Sequence, residues 1–356
     1  MKILHSADLH LDSPMQGHPP AREKLLQDAL LSVPDQLSAL CKKEECDLVL
    51  LAGDLFDGAY TQKSCRAIYD ALKAMEVPVF IAPGNHDFVS PDSPYVREPW
   101  PENVHIFTEP RLTAVPLPRL NATVYGAGFT GMDCPALLSG FTANGDSQYH
   151  IGILHGDPTT KASPYCPVTQ TQAADSALHY LALGHIHKGG SFFAGNTLCG
   201  WPGCPMGTGY DETGEKGAYI IELRETASVR FVPLQTPRFF DLQAEVVSDA
   251  LCDLRAVLPP AGSEDLYRIT LTGHSEPVDI PQLLSALPHF PNLELRDKTL
   301  PPVDIWKDLG EDSFGGMYFG LLKAELESAD EETARQILLA ARLSRRILDG
   351  EEVSLP

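Results

Sequence analysis

Five times between residues 1 and 190 an apolar run ends on side chains that bind metals, and this recurrence constrains the fold more than any other feature of the chain. The run Lys2–Ser6 leads to Asp8 and His10, and "DLVLLAGDLFD" leads to Asp54 and Asp57. "VPVFIAPGNHD" leads to Asn85, His86 and Asp87, "YHIGILHGD" to His155, and "LHYLALGHIH" to His185 and His187. Short runs rich in Val, Ile and Leu, bounded by Gly, Pro or Asp, are the pattern of strands buried on both faces. In open α/β sheets the carboxyl ends of such strands lie along one edge, where ligands bind. A lone Asp-x-His triplet is more often a polar turn than a ligand pair; five strand ends of one kind on one edge are not separate accidents.

Candidate strands are 2–6, 47–52, 77–82, 123–127, 150–154, 178–183 and 218–223. Helical stretches 22–43 and 61–75 separate the first three, and in the second Ile68, Ala71, Leu72 and Met75 share one face. Strand, helix, strand, helix, strand implies parallel pairing through right-handed crossovers. The later strands follow one another with little helix, which predicts a second, largely antiparallel sheet. After Pro237 strands 239–247, 266–272 and 292–296 alternate with helices 249–257 and 280–287. The stretch 312–350 is helical, with Ser328 and Glu331 as a capping box before Ala334, Ile337, Leu338, Ala341 and Leu348. The expected architecture is α/β: a two-sheet αββα sandwich over residues 1–236, a smaller C-terminal α+β cap over 237–300 and a helical tail over 301–356.

The donor types narrow the chemistry. Two carboxylates, an amide and up to four imidazoles suit Mn²⁺, Fe or Zn²⁺ better than Ca²⁺, and lack the thiolates of a structural zinc site. Seven donors are too many for one ion. Two ions about 3.5 to 4 Å apart, sharing one carboxylate, would use them all and leave room for water and substrate. Four positive charges against two aspartates leave the pocket positive, which favours a phosphate. The whole chain, in contrast, carries a net charge of -21. Nucleic-acid binding through many phosphate contacts needs basic surface, so such a role would rest on a local patch, the metals or a basic partner. Eight cysteines without a CxxC pair predict reduced thiols used in packing. No run reaches the roughly 18 apolar residues of a membrane span, and the first polar site comes too early for a signal peptide; the expectation is a cytoplasmic protein.

The order DxH, GDxxD, GNHD, H, GHxH, spanning residues 8 to 187, resembles that of the calcineurin-like metallophosphoesterases, whose two-sheet sandwich is the fold this implies. "ILHSADLHL" and "WPGCPMGTGYDETGEKGAYIIEL" (201–223) resemble the SbcD-type DNA repair exonuclease branch, and Pro83 before "GNHD" departs from the Arg-GNHE of the protein phosphatases. The resemblance implies one ion held by Asp8, His10 and His187, a second held by Asn85, His155 and His185, and Asp54 between them. It makes His86 the catalytic histidine and Asp57 the acid that orients it, although some nuclease relatives carry a histidine at the latter position. It further implies metal-activated water attacking a phosphodiester, Mn²⁺ as the metal, DNA as substrate and an SbcC-like ATPase subunit as partner, while helix 22–43, with Leu25, Leu26, Leu30 and Leu31, either covers the sheet or forms a homodimer interface. A small-molecule nucleotide phosphodiesterase or phosphatase, and a non-catalytic scaffold, are the rival readings.

Plainer roles suit the remaining residues. Gly53 and Gly84 are turn glycines whose replacement would push the donors aside. His5 reads as a hydrogen-bonded structural histidine, and His18, His105, His150, His179, His274 and His289 as surface or core residues. Asp12, Asp87 and Asp157 suit either supporting hydrogen bonds or turn caps. Arg335, Arg342, Arg345 and Arg346 form the densest basic cluster, expected as a solvated face near a helix C-terminus, with a docking surface as the alternative.

Overall fold

The computed structural model describes residues 1–15, 18–247, 249–260, 264–300 and 304–350. Residues 301–303, where the sequence boundary between cap and tail falls, lie outside them. The chain divides into two compact units, one of residues 1–241 with 262–267, the other of 242–261 with 268–356.

The first unit begins with β1 (Lys2–Ser6), α1 (Pro20–Glu44), β2 (Leu48–Leu51), α2 (Gln62–Met75), β3 (Val79–Ile81), α3 (Pro94–Arg97) and β4 (Val104–Ile106). It continues with β5 (Thr113–Leu117), β6 (Ala122–Gly126), β7 (Tyr149–His155), α4 (Gln170–Asp175) and β8 (Tyr180–Gly184). A run of strands closes it: β9 (Lys188–Ala194), β10 (Thr197–Gly203), β11 (Gly217–Leu223) and β12 (Ala227–Pro233). One sheet is ordered β12-β11-β1-β2-β3-β4 and the other β5-β6-β7-β8-β10-β9.

Period-two alternation sorts each strand between two cores. Ile3, Leu48, Leu50, Phe80 and Ile221 meet Val124, Ile151, Ile153, Ala182 and Leu198 of the other sheet. Leu4, Val49, Leu51, Val79 and Ile220 turn the other way, onto Leu26, Leu30, Val33 and Leu37 of α1 and Ile68, Leu72 and Met75 of α2. Helix α1 thus covers the sheet with its leucines. Helix α2 is fixed at its start by a capping box between Thr61 and Ser64, reinforced by Asp12, which accepts from the Thr61 N–H at 2.8 Å and from the Ser64 hydroxyl.

The second sheet differs from the antiparallel one expected. Strands β6, β7, β8 and β10 run parallel, and only the pairs β5–β6 and β9–β10 are antiparallel. Parallel pairing needs crossovers, but here these are the loop before β7, the six-residue α4 and, between β8 and β10, the strand β9, so the helical periodicity that announces a crossover is missing from the sequence. The outer face of this sheet is covered by Phe129, Leu138, Cys166 and Val168 from those loops and by Ala173 of α4.

The strands β13 (Phe239–Val246), β14 (Leu266–Gly273) and β15 (Leu293–Asp297) form a three-stranded sheet in that order, the first residues of β13 and β14 belonging to the first unit and the rest to the second. Helix α5 (Ala250–Val257) precedes β14 and α6 (Ile280–Ser285) precedes β15. The tail is two helices, α7 (Phe314–Leu326) and α8 (Glu331–Leu348). Helix α8 is capped by Asp330, whose side chain accepts from the Thr333 N–H at 2.8 Å. Ser328 instead bonds back to the Glu325 carbonyl at 3.2 Å, so the expected capping box does not form. Arg345 is not solvated either: it is 2% exposed, donates to Asp308 at 2.5 Å and lies 4.0 Å from the centre of the Phe319 ring. Arg342 is exposed.

His5 is wholly buried between the two large sheets, with Nδ1 2.6 Å from the Tyr180 hydroxyl and its ring edge-on to Tyr219. Burial lowers its pKa from 6.5 to about 3. The unfolded chain therefore takes up a proton that the folded one refuses, so this contribution to stability is whole above pH 6.5 and is lost progressively as pH falls toward 3. Urea unfolding of wild type and His5→Gln between pH 6.5 and 4 is expected to give a shallower fall in the variant, by up to ~1.4 kcal/mol per pH unit. Parallel curves would contradict this.

Candidate metal centre

The chain turns sharply as it leaves β1, β2 and β8. Asp8, His10, Asp54 and His185 adopt left-handed φ of 54°, 47°, 50° and 87°. Such a backbone costs about 1–3 kcal/mol at a non-glycine residue and persists only where its surroundings impose it. Asp and His tolerate it better than β-branched residues do. Gly53, at φ 91°, would put a Cβ 2.4 Å from Nδ1 of His155, and a Cβ on Gly84 would lie 2.1 Å from Oδ1 of Asp54. These glycines allow three segments to crowd against one another. Asp87 binds two of the segments together: its carboxylate accepts from the N–H groups of Leu55 (2.7 Å), Phe56 (3.2 Å) and Gly84 (2.9 Å) and from the Tyr95 hydroxyl.

The nine residues singled out in the sequence come together here. Nε2 of His10 is 3.1 Å from Nε2 of His187 and 3.8 Å from Oδ2 of Asp54. Asp54 Oδ2 is 3.3 Å from Nε2 of His155 on its other side, so this carboxylate stands between two groups of donors. In the second group, Oδ1 of Asn85 is 2.9 Å from His155 Nε2 and 3.2 Å from His185 Nδ1. The Ala52 carbonyl, 2.9 Å from His155 Nδ1, accepts the N–H of that nitrogen and leaves Nε2 as the atom able to bind a metal. Asp8 Oδ1 accepts the backbone N–H of His185 at 2.8 Å. Its Oδ2 is buried without a hydrogen bond. Asp57 Oδ1 lies 2.8 Å from Nδ1 of His86 and 3.4 Å from Nδ1 of His10, and the His86 ring stands edge-on to His10.

The electrostatics ask for a cation. Burial raises the carboxyl pKa of Asp8. For Asp54 the same burial is outweighed by His155 and His10, which hold its carboxyl well below the usual range. The converse holds at His155: burial alone would lower its pKa, but the charge and hydrogen bond of Asp54 lift it to about 10. Burial, with positive charge on His155, brings His185 down to about 4. A backbone N–H apiece, from His185 and His86, and positive charge on His155, His10 and His187 are the compensation these residues give two interior carboxylates. An orphaned carboxylate oxygen and two Nε2 atoms facing each other at hydrogen-bond distance fit a bound cation better. Among the described residues, Asp8, His10 and His187 could hold one ion and Asp8, Asp54 and His155 another, each trio having ligand atoms within 4.8 Å of one another. His10, Asp54 and His86 meet the same distance, but His86 is the exposed member, its side chain 45% exposed against 7% and 2% for the other two. The donors present fit a pair of divalent ions.

The first of these groups borders a cavity of about 160 Å³ lined by Asp8, His10, Asp57, His86, His187 and Glu212. Of the supporting aspartates, Asp12 caps α2 and Asp157 caps the turn at Thr159 and Thr160, while Asp87 alone holds donor-bearing segments. Glu212, hydrogen-bonded to His187 Nδ1, was not legible as a site residue. It follows an aspartate in a Gly-rich turn, and only the turn's geometry decides which acid faces inward.

Gly84→Ala is expected to displace the Asp54 carboxylate without unfolding the sheet. Elemental analysis after Mn²⁺ loading and dialysis should find fewer ions per chain than in the unsubstituted protein, with an unchanged circular dichroism spectrum.

Residues 1–189 match the calcineurin-like phosphoesterase family. The uncharacterized metallophosphoesterase YhaO of Bacillus subtilis is 33% identical over 244 residues, which are 63% of this chain and 57% of that protein. The SbcD component of nuclease SbcCD from the same organism is 26% identical over 270 residues, 63% of this chain and 66% of its own. Its counterpart in Staphylococcus epidermidis is 22% identical over 274 residues, 67% and 71% of the two chains. The chain therefore spans under two thirds of the length of both Bacillus relatives. Because the family match takes in all five strand ends and more than half of the chain, this protein belongs to the calcineurin-like phosphoesterases.

Proposed function

We propose that the protein is a two-metal phosphodiesterase that cleaves nucleic-acid phosphodiester bonds as the nuclease component of a DNA repair exonuclease. The observation that carries the hydrolytic reading is the convergence of Asp8, His10, Asp54, Asn85, His155, His185 and His187 beside a cavity bordered by His86. Asp8, His10 and His187 would hold one ion, Asn85, His155 and His185 the other, with Asp54 shared. Divalent ions bound there, Mn²⁺ in the cell, supply positive charge for phosphoester oxygens and acidify a water.

The chain's own residues do the rest. Asp57 accepts the Nδ1–H of His86 and leaves Nε2 to act on the substrate. In its imidazolium form His86 donates the Nε2–H to a phosphoryl oxygen or passes that proton to the departing one. A net charge of -21 offers little for a polyanion to bind, which supports a division of labour in which an ATPase partner brings the basic surface. The two SbcCD nuclease relatives at 26% and 22% identity support the DNA reading. The small cavity and the acidic surface favour the rival, a phosphodiesterase or phosphatase acting on a small nucleotide.

The test is turnover with Mn²⁺ of a chromogenic phosphodiester, a chromogenic phosphomonoester, and linear and circular duplex DNA, with and without the ATPase partner. Diester and linear-duplex cleavage is expected; turnover of the small substrates alone would replace the nuclease reading with its rival. His86→Ala should lower turnover about 10²- to 10⁴-fold while elemental analysis still counts two ions. Loss of an ion in that variant would make His86 a ligand.

A further inference from the structure

The segment after β10 holds one histidine from three sides. A Cβ on Gly203, at φ 79°, would lie 2.4 Å from the His187 carbonyl oxygen, so only glycine lets the chain pass so close. The same carbonyl accepts from the Cys204 N–H at 3.4 Å and from Lys216 Nζ at 3.4 Å. The imidazole itself is held by Glu212, whose Oε1 accepts the Nδ1–H of His187. Glu212 is anchored in turn: its Oε2 accepts from the Thr208 N–H at 2.7 Å and the Thr208 hydroxyl at 3.0 Å, and its own N–H bonds the Gly209 carbonyl at 3.1 Å. With Nδ1 engaged, Nε2 of His187 is the nitrogen left to bind, and it is the one 3.1 Å from Nε2 of His10.

His187, Cys204 and Glu212 also lie within 4.8 Å of one another. Both Glu212 oxygens, however, are already committed to protein donors, and the Cys204 thiol bonds the His187 carbonyl at 3.7 Å. The trio is a support for the imidazole and not a further ion site.

We propose that Glu212 is a positioning residue: it fixes the tautomer and orientation of His187 so that Nε2 is presented to an ion shared with Asp8 and His10. The assignment rests on the two-ion reading of the site. A carboxylate behind a ligating imidazole raises its basicity, and losing such a partner weakens metal binding roughly 10- to 100-fold.

The test is calorimetric titration of the metal-free protein with Mn²⁺, alongside visible absorption of the Co²⁺-loaded protein, for wild type, Glu212→Gln, Glu212→Ala and Thr208→Val. Wild type is expected to bind two ions. Glu212→Ala should still bind two at saturation, one of them roughly 10- to 100-fold more weakly, with an altered Co²⁺ spectrum. Glu212→Gln, which keeps an acceptor but no charge, should fall between them, and Thr208→Val should move slightly in the same direction. Thermal melts of the metal-free variants separate these effects from misfolding. Wild-type affinities and spectrum in Glu212→Ala would overturn the proposal, as would outright loss of one ion at saturation, which would make Glu212 itself a ligand. A wild-type chain that binds no pair of ions overturns the two-ion reading, and this inference with it.

Discussion

Negative charge held inside the protein is the constraint from which the rest of the site follows. Asp8, Asp54 and Asp87 are each no more than 4% exposed and lie within one small region. Unpaired carboxylates in such surroundings are costly, and proteins keep them only with hydrogen bonds, opposite charge or metal. Asp87 is answered entirely by backbone N–H groups and a phenol. Asp8 and Asp54 each accept one backbone N–H and otherwise face imidazoles, with one oxygen of Asp8 left without a hydrogen bond. That difference separates the structural carboxylate from the two that suit a cation, although all three end similar strands.

The sandwich sustains such a concentration of charge by fixing the segments that carry it. β1, β2 and β3 run parallel in one sheet, and β7 and β8 run parallel in the other. All five end on the same side of their sheets, so donors far apart in sequence meet without a long loop. The close approach demands unusual backbone geometry, with left-handed Asp8, His10, Asp54 and His185 and with glycine where a Cβ would strike a donor. Positions of this kind persist because the strands behind them are buried on both faces and cannot relax outward.

Much of this was legible in the sequence because two signals coincide at each strand end: an apolar run that can only be interior, and a polar residue where the run stops. The nine candidate residues around Asp54 followed from that coincidence and from the order of the motifs. What stayed hidden depends on geometry without periodicity. The parallel centre of the second sheet is joined by a loop, the short α4 and the strand β9, which carry no extended helical pattern. Ser328 and Asp330 are equally good capping residues by type, and only the break between α7 and α8 selects the second. Arg345 looks like its neighbours in sequence, yet Asp308 and the Phe319 ring give it an interior place. Glu212 finds its role through a turn whose shape no local pattern specifies.

Asp87 has a broader consequence. Because one carboxylate grips the N–H groups of both the 53–57 and 84–87 segments, those segments form a single mechanical part carrying Asp54, Asp57, Asn85 and His86. A change of shape in either would be transmitted to the other and to every group they bear. Divergence in what this pocket accepts is therefore channelled into stretches of chain around its mouth that carry neither this clamp nor the support of His187.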